Sequence, residues 1–449
     1  MDGTRRTSSR RDFLKLAGAS SMAALLAACG GGAPAAAPTA APAAGGASGA
    51  PAADTTATLT ISDFGGEADK KIYADAHARF KKKYPNVTIV DNFTPVTTWS
   101  EYSNKITTQV AGGQSPDIIN IAIEGARLLQ SKGLLQPLDE FIANDPSAKE
   151  LTDDVDPALI APFKIDGKTW YIPHSWNNMI IYYNTKIFKD AGIDPPKPDW
   201  TWDDFLGIAK KLTTGSGADQ VFGFGIPNFN FGLQPWMLTN GTTQLTTGWV
   251  DSNLNDPKVV EAMTFVHDLV HVHKVSPAVE GANNDQLFAS GKIAMGGWGH
   301  WPIQGFIGNN FRDFDVQYWP KKAAQTHVFG VGGWGVAKDS KNAALAWELI
   351  KELTSKETIQ ASAEAGVAIP ARRSVAESAA FLKFPANSKI YYDTLKDTKP
   401  VPSPANFNEV ETIFMRHMGE IMSGSTTPEA GMKAAHEELA AAMAKLKSG

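Results

Sequence analysis

Leu59-Thr60-Ile61-Ser62-Asp63-Phe64-Gly65-Gly66 opens the foldable part of a 449-residue chain, and the apolar pattern downstream of it decides the fold class. Leu59, Thr60 and Ile61 alternate apolar and polar, the period-two pattern of a strand, and the run ends in a turn over 63–66. Ile72, Ala76, Phe80 and Tyr84 then recur at helical spacing until Pro85-Asn86 stops them. Val87-Thr88-Ile89 alternates again, Tyr102, Ile106 and Val110 mark a second helix, 117–121 is a compact apolar strand, and 126–132 is helical. This strand–helix rhythm predicts an α/β fold, an open sheet with helices on both faces. In such sheets ligands bind beyond the carboxyl ends of the strands, here 63–67, 92–99 and 120–124.

The rhythm resumes further along. Thr201 fits a helix cap, with Asp203 and Asp204 in the first turn. Residues 259–272 read as another helix, 334–336 as a strand, and Trp347, Ile350 and Leu353 as one helix face. The tail is helical twice, through Val410, Ile413, His417 and Ile421 and then Met432, Ala435, Leu439, Met443 and Leu446. Roughly 390 residues of one rhythm exceed what a single core holds, which predicts two lobes.

Upstream of residue 58 the composition changes. Arg5, Arg6, Arg10, Arg11 and Lys15 outnumber Asp2 and Asp12, and an apolar stretch over 16–28 is too short to span a bilayer as a mature helix. Ser9-Arg10-Arg11-Asp12-Phe13-Leu14-Lys15 resembles the twin-arginine export consensus, so 1–28 is expected to be a signal peptide. Leu26-Ala27-Ala28-Cys29 resembles a bacterial lipobox, whose cysteine is acylated and becomes the new N-terminus. Residues 29–57, built almost wholly of Ala, Gly, Pro, Ser and Thr, are expected to be a flexible tether reaching about 30 Å. Cys29 is the single cysteine, which excludes a disulfide framework and a cysteine-type zinc site. A net charge of −5 argues against a nucleic-acid partner. No cofactor or metal is expected, and the chain reads as a monomer.

Gly167-Lys168-Thr169-Trp170-Tyr171-Ile172-Pro173, then Ile181-Tyr182-Tyr183-Asn184, Phe188, Ala191-Gly192 and Thr201-Trp202, resemble family 1 extracellular solute-binding proteins, the sugar-type, maltose-binding-protein-like receptors of ABC importers. Further matches come in order: Phe80 to Pro85 with Val87, Pro116-Asp117-Ile118-Ile119, Gly133-Leu134-Leu135 with Pro137-Leu138-Asp139, Phe288 with Gly291-Lys292, Ala294-Met295 and Trp301, then Gly333-Trp334-Gly335, Ser340, Ala346-Trp347 and Pro370. The resemblance covers roughly 58–449 and implies a two-lobed periplasmic-binding-protein-like fold with three hinge crossings and ligand held between the lobes. Mapped onto this chain, lobe 1 is 58–174 with 334–367, lobe 2 is 179–328 with 371–449, and crossings fall near 173–178, 329–333 and 366–370.

A sugar offers C–H faces, which indoles cover, and hydroxyl edges, which acids and amides bind. Trp298, Trp301 and Trp334 lie in glycine-rich loops, where backbone can approach a ligand and little is present to bury a ring. Trp176 and Asn177 sit in a crossing. Trp236, with Phe229 and Phe231, forms a second aromatic cluster that fits ligand and core equally, and Trp99 with Tyr102 is similarly open. The resemblance adds Gly65, Gly66 and Glu67 from the family's first loop and Glu124 as a ligand-binding acid after the third strand. It makes Trp301 a stacking position and Asn177 the replacement of a family carboxylate. The family's tryptophan near 120–121 is absent, which speaks against maltose itself. Arg372 reads as a surface residue rather than a cleft one, and Trp200, Trp202, Trp249, Trp319 and Trp347 as structural. His267 and His271, at i and i+4, share a helix face with metal-ligand spacing, but no zinc-protease glutamate adjoins them, so a solvated face is preferred.

The expected function is reception of a neutral saccharide and its delivery to ABC permease subunits from the outer face of the cytoplasmic membrane or the periplasm, with Cys29 as lipid anchor. The alternatives are a secreted hydrolase pairing Glu67 with Glu124, although nothing in the sequence tunes either as an acid, a lipid-anchored binder of a non-sugar solute, and an adhesion scaffold.

Overall fold

The computed structural model describes residues 50–65 and 67–448. The expected signal peptide, Cys29, most of the tether, Gly66 and the side chain of Glu67 lie outside them. Within the described part of the tether, Ala52 to Thr55 form a turn, and the Asp54 carbonyl accepts from Asn86 Nδ2 at 3.2 Å. The chain is therefore anchored a few residues before composition suggests.

β1 (Ala57–Asp63) pairs in parallel with β2 (Val87–Phe93) along its length and with β3 (Ile118–Ala122) near its carboxyl end. The helices between and after them are α1 (Glu67–Lys83), α2 (Trp99–Ala111) and α3 (Ile123–Ser131). A small hairpin comes next, β4 (Lys164–Ile165) and β5 (Lys168–Thr169). Its two-residue turn, Asp166-Gly167, needs positive φ at both positions and has 53° and 74°. β6 (Ile172–Asn178) belongs to the large sheet, and one residue later β7 (Ile180–Asn184) starts a second, three-stranded sheet with β8 (Met295–Trp298) and β9 (Phe314–Gln317). The chain thus passes from one sheet to the other at Met179. It returns as β10 (His327–Val336), which runs antiparallel between β3 and β6. β11 (Ile369–Pro370) closes the edge against β6, and β12 (Thr398–Pro400) pairs with the start of β10. The order in the seven-stranded sheet is β11-β6-β10-β3-β1-β2, with β12 beside β10.

The fold is α/β with two lobes, each built around one of these sheets. The carboxyl ends of β1, β2, β3 and β6 all point to one edge, the edge at which the chain crosses to the second sheet. Leu59, Ile61, Phe80, Ile118, Trp334 and Leu349 form a core on the β1–β2 side. The helix expected at Thr201 is Trp202–Leu212, with a full capping box between Thr201 and Asp204. The two tail helices are Phe407–Met422 and Pro428–Ser448; they pack on each other and on Pro257–His271, while Phe407–Met422 also touches α2 and α3.

β10 carries four glycines, and they do different things. A Cβ at Gly333 would sit 2.6 Å from the Phe163 ring, whereas one at Gly330 would sit 3.5 Å from Glu124 Oε1, in ordinary contact. Gly333→Ala should therefore cost about 1–3 kcal/mol by overpacking. Gly330→Val should melt close to wild type yet fill the space above the strand. Thermal melts of the two variants check the contrast, and equal destabilisation would contradict it.

Candidate functional site

Residues along β6 and β10 alternate between two faces of the sheet. Trp176 and Asn178 face one way with Val331 and Phe329; Ser175 and Asn177 face the other with Gly332 and Gly330. Trp176 is accordingly core, 1% exposed, edge-on to Phe329 and Tyr392. Asn177 lies on the opposite face, where both glycines leave the strand uncovered.

The groups around that uncovered face come from both lobes. Asn177 Oδ1 accepts the backbone N–H of His300 at 2.8 Å, which ties β6 to the loop after β8. In that loop Trp301 folds back over Gly299 so closely that a Cβ there would lie 2.2 Å from the indole. Trp301 stays 36% exposed, with Phe229 edge-on at 6.2 Å. Phe231, two residues along, stands beside Gly330 with Glu124. Phe64 and Trp99 stack at 4.3 Å at the carboxyl end of β1, both half-buried, with Tyr102 edge-on to each. Gly65 adjoins them: its missing side chain leaves room for Asp69 and for Phe93 at 3.3 Å.

Glu124 occupies the first turn of α3, the position at which a helix favours a carboxylate. It is 8% exposed, and its Oε2 has no hydrogen-bond partner among the described residues. Burial pushes its carboxyl up to about 7, helped by the charge of Glu411 and opposed by its own backbone N–H. Glu411 comes from Phe407–Met422; burial raises it too, against a hydrogen bond from Ser100 Oγ. Asn408, one turn before it, donates to Asn104 Oδ1 at 2.8 Å and to the Ser100 carbonyl at 3.2 Å. Deeper in the first lobe, Asn120 links Asp63 and His174, donating to Asp63 Oδ1 at 2.5 Å and meeting His174 Nε2 at 3.1 Å. Burial raises the Asp63 carboxyl and lowers His174 to about 3, so the ring is neutral.

Of the residues expected to hold ligand, Asn177, Trp301, Phe229 and Glu124 come together, and Trp99 and Gly65 stand at the carboxyl ends of β1 and β2. Four tryptophans do not join them. Besides Trp176, Trp334 is fully buried between Tyr73 and His174, because β10 runs through the middle of the sheet rather than looping over it. Trp298 is the last residue of β8, donates to Asp285 at 2.7 Å and packs on Tyr182 and Phe288. Trp236 is enclosed by five other rings. Glycine-rich surroundings mark all three loops, but only at Gly299 does the glycine hold a ring out toward solvent. Arg372 is neither surface nor cleft: it is buried, donating to the Thr354 and Glu150 carbonyls. Trp249, read as structural, is half-buried beneath the Arg127 guanidinium, 5.4 Å from its ring. His271 Nε2 lies 2.9 Å from the Met422 carbonyl, so that helix face is partly covered. Glu411, Ser100 and Asn408 escaped the sequence reading, which took the tail helix only for its apolar stripe; an acid between Val410 and Ile413 was the available signal.

The family model described as bacterial extracellular solute-binding protein matches residues 64–360. A Brucella abortus chain named only as a binding protein is 22% identical over 390 residues, covering 84% of this chain and 90% of that one. An ABC substrate-binding protein of Listeria monocytogenes in complex with cycloalternan superposes with a TM-score of 0.77 at 24% identity, covering 87% of this chain and 100% of that one. A solute-binding protein of an ABC transporter from Thermotoga lettingae, bound with α-D-tagatose, gives 0.76 at 22% identity, covering 86% and 100%.

Proposed function

The chain belongs to the bacterial extracellular solute-binding proteins, and from that membership we propose that it is the receptor of an ABC importer for a hydroxylated, sugar-type solute. The observation that carries the sugar reading is Trp301, a half-exposed indole fixed over Gly299 beside Asn177, whose strand partner Gly330 has Glu124 above it: an apolar plate near hydroxyl-binding groups. The ligands bound by the Listeria and Thermotoga proteins, cycloalternan and tagatose, support the same class. Ligand held between groups from both lobes stabilises the closed arrangement by its differential affinity, so closure and affinity are one equilibrium. We propose the lobe boundaries expected from the sequence, with Met179, where the chain passes from one sheet to the other, as the first pivot. No catalytic role is assigned. Glu124 does have the raised carboxyl that sequence alone did not reveal, and incubation with a bound sugar separates the two outcomes: unchanged sugar supports a receptor, and cleaved sugar a hydrolase.

We further propose that the chain is anchored through Cys29 after twin-arginine export, at the outer face of the cytoplasmic membrane or in the periplasm. Radiolabelled palmitate should attach to the wild type and be lost from Cys29→Ser; equal labelling of both would remove the anchor.

A further inference from the structure

Glu124 lies on α3 and Glu411 on Phe407–Met422; each feels burial, and the charge of Glu411 acts on Glu124. Neither carboxyl forms an ion pair among the described residues. None of the cations on the three helices that meet here pairs with either carboxyl, although Arg127 Nε itself has no hydrogen-bond partner among the described residues. Arg127 lies over Trp249, Lys105 pairs with Glu101, and Arg416 and His417 pair with Glu438. Glu411 has the Ser100 hydroxyl, but Glu124 Oε2 has no partner among the described residues, although the residue is more than nine-tenths buried. It stands over Gly330, where the strand offers no side chain to answer it. Buried carboxyls without a counter-charge hold protons or find a cation.

We propose that the missing cation belongs to the solute: Glu124 receives an ammonium group, and the cleft selects saccharides bearing a free amine over neutral ones. This rests on the receptor reading and replaces the neutral sugar expected from composition with a cationic one. The ring of such a solute lies against Trp301 and Phe229, while its ammonium donates to Glu124 Oε2. An ammonium there ionises Glu124, so the proton that burial holds on this carboxyl leaves as it binds.

The test uses calorimetry at pH 7 on the full receptor with matched sugars: glucosamine, N-acetylglucosamine and glucose, and chitosan di- to tetrasaccharides beside their N-acetylated forms. An amine-bearing member should bind about tenfold or more tightly than its acetylated twin. Glu124→Gln, which is isosteric, should abolish that preference, so that the amine-bearing member and its acetylated twin bind this variant alike within about threefold. Proton release, read by repeating the titration in buffers of different ionisation heat, should accompany the amine and vanish in Glu124→Gln. Equal or tighter binding of the neutral twins overturns the amine inference and leaves the saccharide receptor standing. No heat with any sugar overturns both.

Discussion

Replacing Trp301 with alanine is expected to weaken solute binding by roughly 30- to 150-fold, about 2–3 kcal/mol, while the protein melts close to the wild type. The two halves of this expectation have separate causes. The indole is 36% exposed and, among the described residues, its one ring neighbour is Phe229, itself 38% exposed, so its removal leaves no closed cavity. A bound ring would cover that exposed face, and an aromatic plate loses both the buried area and the stacking geometry when it is truncated. Gly299→Ala gives an independent route to the same result. Its methyl would lie 2.2 Å from the indole, so the ring must swing away although it is still present. Titration of intrinsic fluorescence or calorimetry with a binding sugar checks both variants. Wild-type affinity in Trp301→Ala would remove the stacking assignment; a large loss of melting temperature would move Trp301 into the core.

The order of strands and helices was legible because period two and period 3.6 are local properties. Ile118–Ala122, Ala343–Leu353 and Phe407–Met422 begin and end within a few residues of their apolar stripes. The site was legible only in part, because a site is a property of pairing. Trp298, Trp301 and Trp334 look alike in sequence, each among glycines. Their fates diverge because Trp334 faces Asn120 and Ile172 within a central strand, Trp298 ends a strand on its buried face, and Trp301 lies past the end of that strand. The contribution of Glu411 needs the tail helix to reach α2 and α3, more than 280 positions away in the chain, a separation no window of sequence spans. The glycines of β10 carry the same lesson: Gly330 and Gly333 differ by three positions, yet one adjoins the site and the other the Phe163 ring.

Trp236→Ala is the variant expected to damage the fold most, by about 3–5 kcal/mol, and to affect binding only through the fraction of folded protein. Trp236 is fully buried in the helix Asn230–Thr239. Trp319 lies 5.0 Å from it, Phe265 5.2 Å, Phe205 5.3 Å, Trp202 5.4 Å and Phe224 6.1 Å. Alanine would open a cavity walled by five rings, each of which also packs on other rings of the set, so collapse into the space would break those contacts and both the transfer and the cavity cost apply. The indole Nε1 has no acceptor among the described residues, so part of the ring's benefit is already offset by a buried donor. Trp236→Phe, which drops that donor and keeps most of the apolar surface, should therefore recover well over half of the loss. Denaturant titration of the three proteins, with sugar affinity measured on the folded fraction, separates this residue from Trp301: Trp236 sets the midpoint of unfolding, Trp301 the affinity. A Trp236→Ala protein that melts like the wild type but no longer binds sugar would return this ring to the cleft and reverse the division of tryptophans between core and site.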